Sequence, residues 1–370
     1  MKVLQFYRTY MPQSEGGVEQ AIRQICLATG QLGAQHRILT LARVDTVEQI
    51  QRPEALVIRA PLQWEPASCS MGWQLFQLYR EHAKWADVIH IHYPWPFADL
   101  VHVLSGVCKP VVVTYHSDII RQRTLERLYS PLRARFFKRV SATVATSPNY
   151  MRSSLFLSAL KGKKEIIPLG LDPQSYAAPD AGTLADVERR FGDDYFLFIG
   201  VLRYYKGLHT LLEAASRNRL TVVIAGSGPE EAALKAQARE LGLSNVHFTG
   251  FVTDDVKAAL LANCRAVVFP SCVRSEAFGV TLLEGQLYSK PLITCEIGTG
   301  TSFVNLADKT GLVVPPGDPM ELALAMRRLD VDTSFAQELG NAGRQRLEKY
   351  FSGTQVGQSY YQLYQKLAEA

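Results

Sequence analysis

Short apolar runs alternate with helical patterns throughout the first half of the chain. The helical periodicity is clearest over residues 18–32. The apolar runs cover residues 3–7, 36–41, 88–92, 111–115, 142–145 and 165–168. Runs of this length that are rich in Val and Ile are typical of strands buried on both faces. The first half therefore predicts a parallel β-sheet with helices on both sides.

The second half repeats this alternation after an interruption. Proline and glycine cluster at residues 168–173, and a polar, alanine-rich stretch follows to about residue 194, which predicts a linker. Further apolar runs cover residues 195–199, 221–225, 246–248, 266–269, 292–294 and 312–314, and helical stretches cover 335–350 and 355–370. The whole pattern predicts an α/β protein of two Rossmann-like, doubly wound domains that face each other across a cleft. In such domains, ligands bind outside the carboxyl ends of the strands, and we expect them in this cleft.

The composition fits two globular domains. Of the 370 residues, 47% are hydrophobic and 20% are charged, which is enough apolar material for two cores. Arg8 interrupts the N-terminal apolar residues before they reach the length of a signal peptide, and no run reaches the ~18 apolar residues of a spanning helix. We therefore expect a cytoplasmic protein.

The net charge of +5 is unevenly distributed. Residues 1–170 contain 21 Lys and Arg against 12 Asp and Glu, a balance of +9, whereas residues 171–370 contain 19 against 23, a balance of −4. A cationic half indicates an anionic partner on that side, such as phosphate, nucleic acid or an acidic lipid surface, although solvated basic faces are also common.

The most specific motif is Glu-Ala-Phe-Gly-Val-Thr-Leu-Leu-Glu over residues 276–284. Glu276 and Glu284 bracket the predicted start of an apolar helix, just after the strand at 266–269. The free amides of a helix start and the helix dipole suit a diphosphate, and carboxylates accept hydrogen bonds from sugar hydroxyls. Spacing alone is equally compatible with Glu276 as a helix cap and Glu284 as a solvated helix residue.

Three further motifs follow one another in the same half. They are Phe-Ile-Gly-Val-Leu-Arg-Tyr-Tyr-Lys-Gly-Leu at 198–208, Ala-Gly-Ser-Gly-Pro at 225–229 and Phe-Thr-Gly-Phe-Val at 248–252. Together with the two spaced glutamates, they make the chain resemble the family-4 retaining glycosyltransferases of the GT-B fold, over essentially its whole length. The resemblance implies a donor-binding domain at 171–354 and an acceptor-binding domain at 1–170, on which a last helix at about 355–370 packs back.

The resemblance also implies roles for particular residues. Catalytic roles fall to His116, Glu276, Lys206 and Arg203. Donor binding falls to Gly16, Gly17, Arg203, Lys206, Gly226, Phe251, Val252, Glu276, Phe278, Gly279, Val280, Thr281 and Glu284. The family commonly has an arginine directly after the strand-ending glycine, where this chain has Val201, so the diphosphate role of Arg203 is less secure than that of Lys206.

Two predicted strand ends in the first half carry further candidates, for the donor at the start of the first helix and for the acceptor at His116. Glu15, Gly16 and Gly17 open the first helix, where glycine lets the backbone approach a phosphate closely. The resemblance places His116 beside the anomeric carbon, where it can donate a hydrogen bond, depending on its tautomer, to the transferring sugar or its acceptor. His92 and Asp118 are assigned to the same side.

Neither metal nor cofactor is expected. His90 and His92 share a strand face but have no evident third ligand. The one Asp-x-Asp sequence, Asp330-Val331-Asp332, follows a helical stretch and is better explained as a turn.

A basic and partly apolar segment covers residues 121–139. Its cations are Arg121, Arg123, Arg127, Arg133, Arg135, Lys138 and Arg139. Such a segment can bind an anionic membrane at the cytoplasmic face, although an ordinary surface helix explains it nearly as well. Nucleic acid is not expected, since no recognition motif accompanies these cations.

The resulting hypothesis is a metal-independent hexosyltransferase for surface polysaccharide. The Tyr-Tyr-Lys-Gly turn and the His-Ser-Asp segment resemble those of bacterial mannosyltransferases that use GDP-mannose and a glycan or polyprenyl-linked acceptor. Alternatives are a UDP-sugar-dependent transferase of the same family, a sugar-nucleotide epimerase, or a non-enzymatic donor-binding subunit of a complex.

Overall fold

The computed structural model describes residues 1–14, 16–119, 123–176 and 178–369, with only the backbone at 123–126. It divides into two compact units. The first comprises Met1–Gly170 together with Gly353–Ala370, and the second comprises Leu171–Ser352. No helix in these described ranges is both long and apolar enough to cross a membrane.

The first unit contains an eight-stranded sheet. Its strands are β1 (Lys2–Phe6), β2 (Gln35–Ala42), β3 (Glu48–Gln51), β4 (Leu56–Pro61), β5 (Val88–Tyr93), β6 (Val111–Tyr115), β7 (Ala142–Ala145) and β8 (Lys164–Ile166). They lie in the order β3-β4-β2-β1-β5-β6-β7-β8, and every pair is parallel except β3 with β4.

Helices cover this sheet. They are α1 (Gly17–Gly30), α2 (Gln74–Trp85), α3 (Pro96–Ser105), α4 (Arg123–Phe137), α5 (Pro148–Ser153) and α6 (Leu155–Ala159). Sequence reasoning missed β3 and β4. The sequence of β3 is Glu-Gln-Ile-Gln and largely exposed, so it forms an edge strand without the apolar run used to find the others.

The second unit contains a six-stranded, wholly parallel sheet. Its elements are α7 (Ala181–Phe191), β9 (Phe196–Ile199), α8 (Leu208–Asn218), β10 (Val222–Ala225), α9 (Glu231–Glu240), β11 (Val246–Gly250), α10 (Asp254–Asn263), β12 (Ala266–Phe269), α11 (Val280–Leu287), β13 (Leu292–Cys295), α12 (Thr301–Val304), β14 (Gly311–Val314), α13 (Pro319–Val331) and α14 (Thr333–Tyr350). The strand order is β11-β10-β9-β12-β13-β14.

Each sheet has one point at which the strand order reverses. In the first unit it lies between β1 and β5, and in the second between β9 and β12. The loops that follow such neighbouring strands diverge to opposite faces and leave a crevice at the carboxyl ends. Gly16 and Gly17 follow β1, Lys206 follows β9 and Glu276 follows β12.

The stretch expected to be a linker contains a helix. Residues of α7 pack against α10, and Asp180 caps α7 by accepting a hydrogen bond from the amide of Thr183 at 3.0 Å. Val187 is the one fully buried residue of this helix, and most of the helix surface faces solvent. Its apolar residues Leu184, Val187 and Phe191 are few and stand in a polar, alanine-rich stretch, so the sequence pattern alone does not distinguish this helix from a linker.

The last helix, α15 (Gly353–Ala368), belongs to the first unit. It packs along α1, and Val356, Tyr360 and Tyr364 join a core cluster with residues of β1, β5, β6 and β7. Gly357 permits this close approach, because a Cβ atom there would lie 2.6 Å from the Cβ atom of Ala28.

Replacing Gly357 by alanine is expected to destabilise the protein by about 1–3 kcal/mol, since the two helices would have to separate. Urea-induced unfolding measures this change. Gly30→Ala is the matched control, because a Cβ atom at Gly30 would meet nothing within 4 Å. Alanine also has a higher helix propensity than glycine, so this variant is not expected to lose stability. Equal stability of the two variants would contradict the packing argument.

Candidate active site

The loop after β9 is held against the end of β12 in the second unit. Gly207 has a positive φ of 68°, and a Cβ atom there would lie 2.0 Å from the carbonyl oxygen of Pro270. The amide of Cys272 donates to the carbonyl of Tyr205 at 3.0 Å. These backbone contacts place Lys206 beside the loop that contains Glu276.

Lys206 and Glu276 form an ion pair. Their Nζ and Oε2 atoms are 2.5 Å apart, and each side chain is 12% exposed. The hydroxyl of Ser271 donates to the same carboxylate oxygen at 3.3 Å, and the ammonium group lies 4.4 Å from the centre of the Phe269 ring. The pair therefore sits in a partly desolvated setting, where charge interactions are stronger than in water.

Helix α11 begins at Val280, four residues after Glu276. Its N-cap is Gly279, with a φ of 87°, and a Cβ atom there would lie 3.0 Å from the Phe269 ring. Glu276 is therefore not the cap. The amides of Val280 and Thr281 lie in the first turn of the helix, where no intrahelical carbonyl can accept their hydrogen bonds. The Thr281 hydroxyl donates to the carbonyl of Ile199 at 3.4 Å, and this bond holds the helix start at the end of β9.

Glu284 lies further along α11 and is buried. Its Oε1 atom accepts from the hydroxyl of Tyr176 at 3.1 Å and lies 3.1 Å from Nζ of Lys257. Lys257 also pairs with Asp254 at 2.9 Å. Burial lowers the pKa of Lys257, but the Glu284 and Asp254 carboxylates raise it more, and the net shift is upward. The lysine thus stays charged, and Glu284 is not a solvated helix residue.

The other predicted donor-binding residues of this unit differ in their solvent exposure. Arg203 is exposed, and its guanidinium has no partner among the described residues. Phe251 is 72% exposed and Val252 is half-buried, both after β11. Gly226 follows β10 and donates its amide to the carbonyl of Gly250 at 2.8 Å. Phe278 is only 3% exposed, so its ring belongs to the core.

In the first unit, Gly16 and Gly17 form the N-terminus of α1 as expected, and Glu15 lies outside the described residues. The carboxylate of Glu19 lies at this helix start. It accepts hydrogen bonds from the hydroxyls of Thr9 at 2.7 Å and Ser14 at 2.8 Å, and it is 5% exposed. The helix start therefore already has an anionic side chain near its amides.

His116 and His92 are hydrogen-bonded to each other. His116 follows β6, His92 lies on β5, and Nε2 of the former is 3.0 Å from Nδ1 of the latter. Burial lowers the pKa of His116 to about 3, and burial lowers the pKa of His92 well below its ordinary value, so both rings are neutral. His92 has no exposed surface and both its ring nitrogens are bonded, so it supports His116 and has no surface with which to contact a sugar.

His90 belongs to a second buried network. Its Nδ1 atom is 2.7 Å from the hydroxyl of Tyr364 and its Nε2 atom is 2.7 Å from that of Thr114, which lies 2.9 Å from the hydroxyl of Tyr360. The ring stacks 4.3 Å from His92. Both nitrogens have partners, so this network anchors α15 to the sheet.

Asp118 is fixed by three neighbours. Its Oδ1 atom accepts from the hydroxyls of Tyr115 at 2.9 Å and Ser154 at 2.6 Å, and its amide donates to the hydroxyl of Tyr150 at 2.6 Å. The carboxylate is half-buried. It orders the loop after β6 that carries His116.

No group of three or more His, Cys, Asp or Glu side chains in the described ranges is arranged to hold a metal ion. Asp332 of the Asp-x-Asp sequence caps α14, since its Oδ1 atom accepts from the amide of Phe335 at 2.9 Å.

Much of the basic segment 121–139 is helix α4. Arg121 and the side chain of Arg123 lie outside the described residues. Buried Phe136 and Phe137 anchor the helix, and Arg133 stacks on Phe156 with its Cζ atom 4.4 Å from the ring centre. The exposed cations of the described part are Arg127, Arg135, Lys138 and Arg139.

Family models match both units. Residues 185–346 match the model "Glycosyl transferases group 1", and residues 15–175 match the model "Glycosyltransferase Family 4". The D-rhamnosyltransferase WbpZ of Pseudomonas aeruginosa is 47% identical over 95% of this chain and 92% of its own length. The chain belongs to glycosyltransferase family 4. As a member, it is an enzyme that transfers a sugar from a nucleotide-sugar donor to a glycan acceptor.

Further relatives agree with this assignment. The O-antigen chain mannosyltransferase C of Escherichia coli is 41% identical to this glycosyltransferase over 100% of both chains. The crystal structure of Anabaena Alr3699/HepE in complex with UDP and glucose superposes with a TM-score of 0.80 at 19% identity, over 99% of this chain and 100% of that one. The glycosyltransferase therefore has the GT-B fold.

Sequence reasoning missed several residues that complete these arrangements. Ser271 joins Glu276, while Tyr176 and Lys257 join Glu284. Gln5 accepts a hydrogen bond from Nε2 of His92 at 2.9 Å. Each lies 5 to 108 positions from its partner and in no recognisable motif, so a single sequence offers no signal for it.

Proposed function

We propose that this enzyme is a retaining, metal-independent mannosyltransferase that moves mannose from GDP-mannose to a lipid-linked glycan in bacterial O-antigen synthesis. The observation that carries the proposal is the Lys206–Glu276 ion pair beside the free amides at the start of α11. A cation, a carboxylate and a helix N-terminus at one point match the place where the hexose and diphosphate of a sugar nucleotide meet.

Each part of the donor then has a partner in the second unit. Lys206, the exposed Arg203 and the α11 amides would bind the diphosphate. Glu276 would accept hydrogen bonds from sugar hydroxyls through Oε1, since the described residues engage only its Oε2. Glu284 would bind the ribose through Oε2, because Tyr176 and Lys257 hold Oε1. The exposed ring of Phe251 offers a surface for the base.

The chemistry follows from this charge distribution. The bond from the anomeric carbon to the diphosphate oxygen breaks, and the sugar becomes electron-poor while negative charge builds on the diphosphate. Lys206, Arg203 and the helix amides would stabilise that charge, as a metal ion does in other transferases. The acceptor hydroxyl would attack from the same face and pass its proton to the leaving diphosphate, which retains the anomeric configuration.

The donor sugar is proposed from the relatives. One relative is named a mannosyltransferase and the other a D-rhamnosyltransferase, and D-rhamnose is mannose without its 6-hydroxyl. Both names fit a manno-configured donor. The higher identity to the rhamnosyltransferase supports a second candidate, in which the 6-deoxy sugar is transferred, and a UDP-sugar remains the further alternative.

Contact with an anionic membrane is proposed for α4. Leu128 on this helix is 77% exposed and Leu155 on α6 is 89% exposed. Arg133 of α4 stacks on Phe156, the neighbour of Leu155, so the two exposed leucines belong to adjacent helices. Exposed apolar side chains near exposed cations suit a surface of acidic lipid, where a polyprenyl-linked acceptor would be found.

Replacing Lys206 or Glu276 by alanine is expected to lower transfer about 100- to 1,000-fold while the fold stays intact, because each removes a group that acts on the developing charge or the sugar. Release of nucleoside diphosphate and far-UV circular dichroism measure the two properties. Lys235→Ala and Glu231→Ala are matched controls, since that pair forms a 2.7 Å ion pair on the surface of the same unit. Near-normal rates in both active-site variants would refute the assignment.

GDP-mannose is expected to raise the melting temperature more than UDP-sugars do. A ligand at 100 times its dissociation constant stabilises the folded state by about 2.7 kcal/mol. Thermal-shift measurements with GDP-mannose, GDP-D-rhamnose and UDP-glucose rank the three donors. A larger shift with the 6-deoxy donor, followed by transfer of that sugar, would replace mannose by D-rhamnose.

Reversal of three exposed cations, in the combined variant Arg127→Glu, Arg135→Glu and Lys138→Glu, is expected to abolish flotation with vesicles that contain acidic lipid. Each cation near such a surface contributes about 1 kcal/mol. The control reverses Arg190, Arg239 and Arg327, which are exposed in the second unit. Unchanged flotation of the α4 variant would exclude this surface as the contact.

A further inference from the structure

A chain of hydrogen bonds runs through the first unit and ends at His116. Thr29 on α1 bonds to His36 on β2, with Oγ1 and Nε2 2.7 Å apart. Nδ1 of His36 is 3.3 Å from Nε2 of Gln5 on β1, and Oε1 of Gln5 is 2.9 Å from Nε2 of His92. The last link joins Nδ1 of His92 to Nε2 of His116 at 3.0 Å. All five side chains are buried.

The direction of this chain is fixed at its far end. The hydroxyl of Thr29 lies 2.6 Å from the carbonyl oxygen of Ile25. A carbonyl oxygen can only accept, so the hydroxyl donates its proton there and must accept from Nε2–H of His36. A neutral histidine protonated at Nε2 has a bare Nδ1, which accepts from the amide nitrogen of Gln5.

The same alternation continues to the other end. The carbonyl oxygen of Gln5 accepts from Nε2–H of His92, so Nδ1 of His92 is bare and accepts from Nε2–H of His116. Every step in the series has one donor and one acceptor.

We propose that Thr29, His36, Gln5 and His92 form a directed relay that holds His116 as its Nε2–H tautomer, so that its Nδ1 atom accepts a hydrogen bond from a sugar hydroxyl. The catalytic part of this inference rests on the proposed function. It decides between the two tautomers that the sequence left open. His116 is an acceptor towards the substrate and not a donor.

Two further observations support this role. Nδ1 of His116 has no partner among the described residues, and the residue is 8% exposed. Burial also lowers the pKa of both His36 and His116 to about 3. Neutral rings keep one bare nitrogen each, which the relay requires.

The first test reads the tautomer directly. Long-range 1H–15N spectra of the full-length protein labelled with 15N-histidine distinguish Nε2–H from Nδ1–H rings, and the His116 signals are those lost in His116→Asn. The expected result is the Nε2–H form throughout pH 6 to 8. A His116 ring in the Nδ1–H form, or one averaged between the two forms, overturns the proposal.

The second test changes the residue that sets the direction. Thr29→Val leaves Nε2 of His36 without an acceptor, which favours the Nδ1–H form of His36 and reverses each later link, so His116 gains the Nδ1–H form. Transfer is expected to fall roughly tenfold, as for one lost hydrogen bond, whereas Thr29→Ser restores both tautomer and rate. An unchanged His116 tautomer in a folded Thr29→Val variant overturns the relay.

Controls separate this inference from the proposed function. Thr40→Val removes another buried hydroxyl of the first unit, outside the relay, and is expected to leave the His116 signals unchanged. The affinity for GDP, measured by calorimetry, should be the same in Thr29→Val and the wild type, because the nucleotide is assigned to the second unit. A correct tautomer in a protein that binds no GDP would uphold the relay and refute the proposed donor.

Discussion

The close approach of the Gly207 backbone to the Pro270 carbonyl is the constraint on which the Lys206–Glu276 ion pair of this glycosyltransferase depends. A lysine and a glutamate 70 positions apart meet only because their two loops follow neighbouring parallel strands and touch at this point. The contact needs a residue without a side chain, in a backbone conformation that other residues rarely adopt. The position of Lys206 beside Glu276 therefore rests on this contact.

In the first unit, the main constraint is the burial of histidine side chains. Among its described residues, this unit buries six histidines, and four of them, at positions 36, 90, 92 and 116, form hydrogen-bonded networks in surroundings where charged rings would be costly. Neutral rings avoid that cost, but each then needs one donor and one acceptor in register. Hydroxyls of Thr29, Thr114, Tyr360 and Tyr364 and the amide of Gln5 supply them. A buried polar network of this kind specifies one arrangement of the strands and of α15.

The fold and its family could be predicted from the sequence because both rest on patterns that survive in one chain. Apolar strands at regular intervals indicate a doubly wound fold, and glycine-rich turns at strand ends mark the ligand side. The exposed strand β3 was missed because it has no apolar run, and α7 was missed because its few apolar residues lie in a polar, alanine-rich stretch. The Lys206–Glu276 pair was within reach, since both residues lie in motifs. The partners of Glu284 and His92 were not, because they depend on which side chains tertiary packing brings together.

The return of α15 to the first unit also affects how the chain folds during synthesis. The second unit is continuous in sequence, so all of its residues leave the ribosome before α15 does. The first unit obtains Tyr360 and Tyr364 only when residues 353–368 have emerged, although its sheet was made first. The usual order, in which the N-terminal domain is finished before the next one, is therefore reversed in this enzyme.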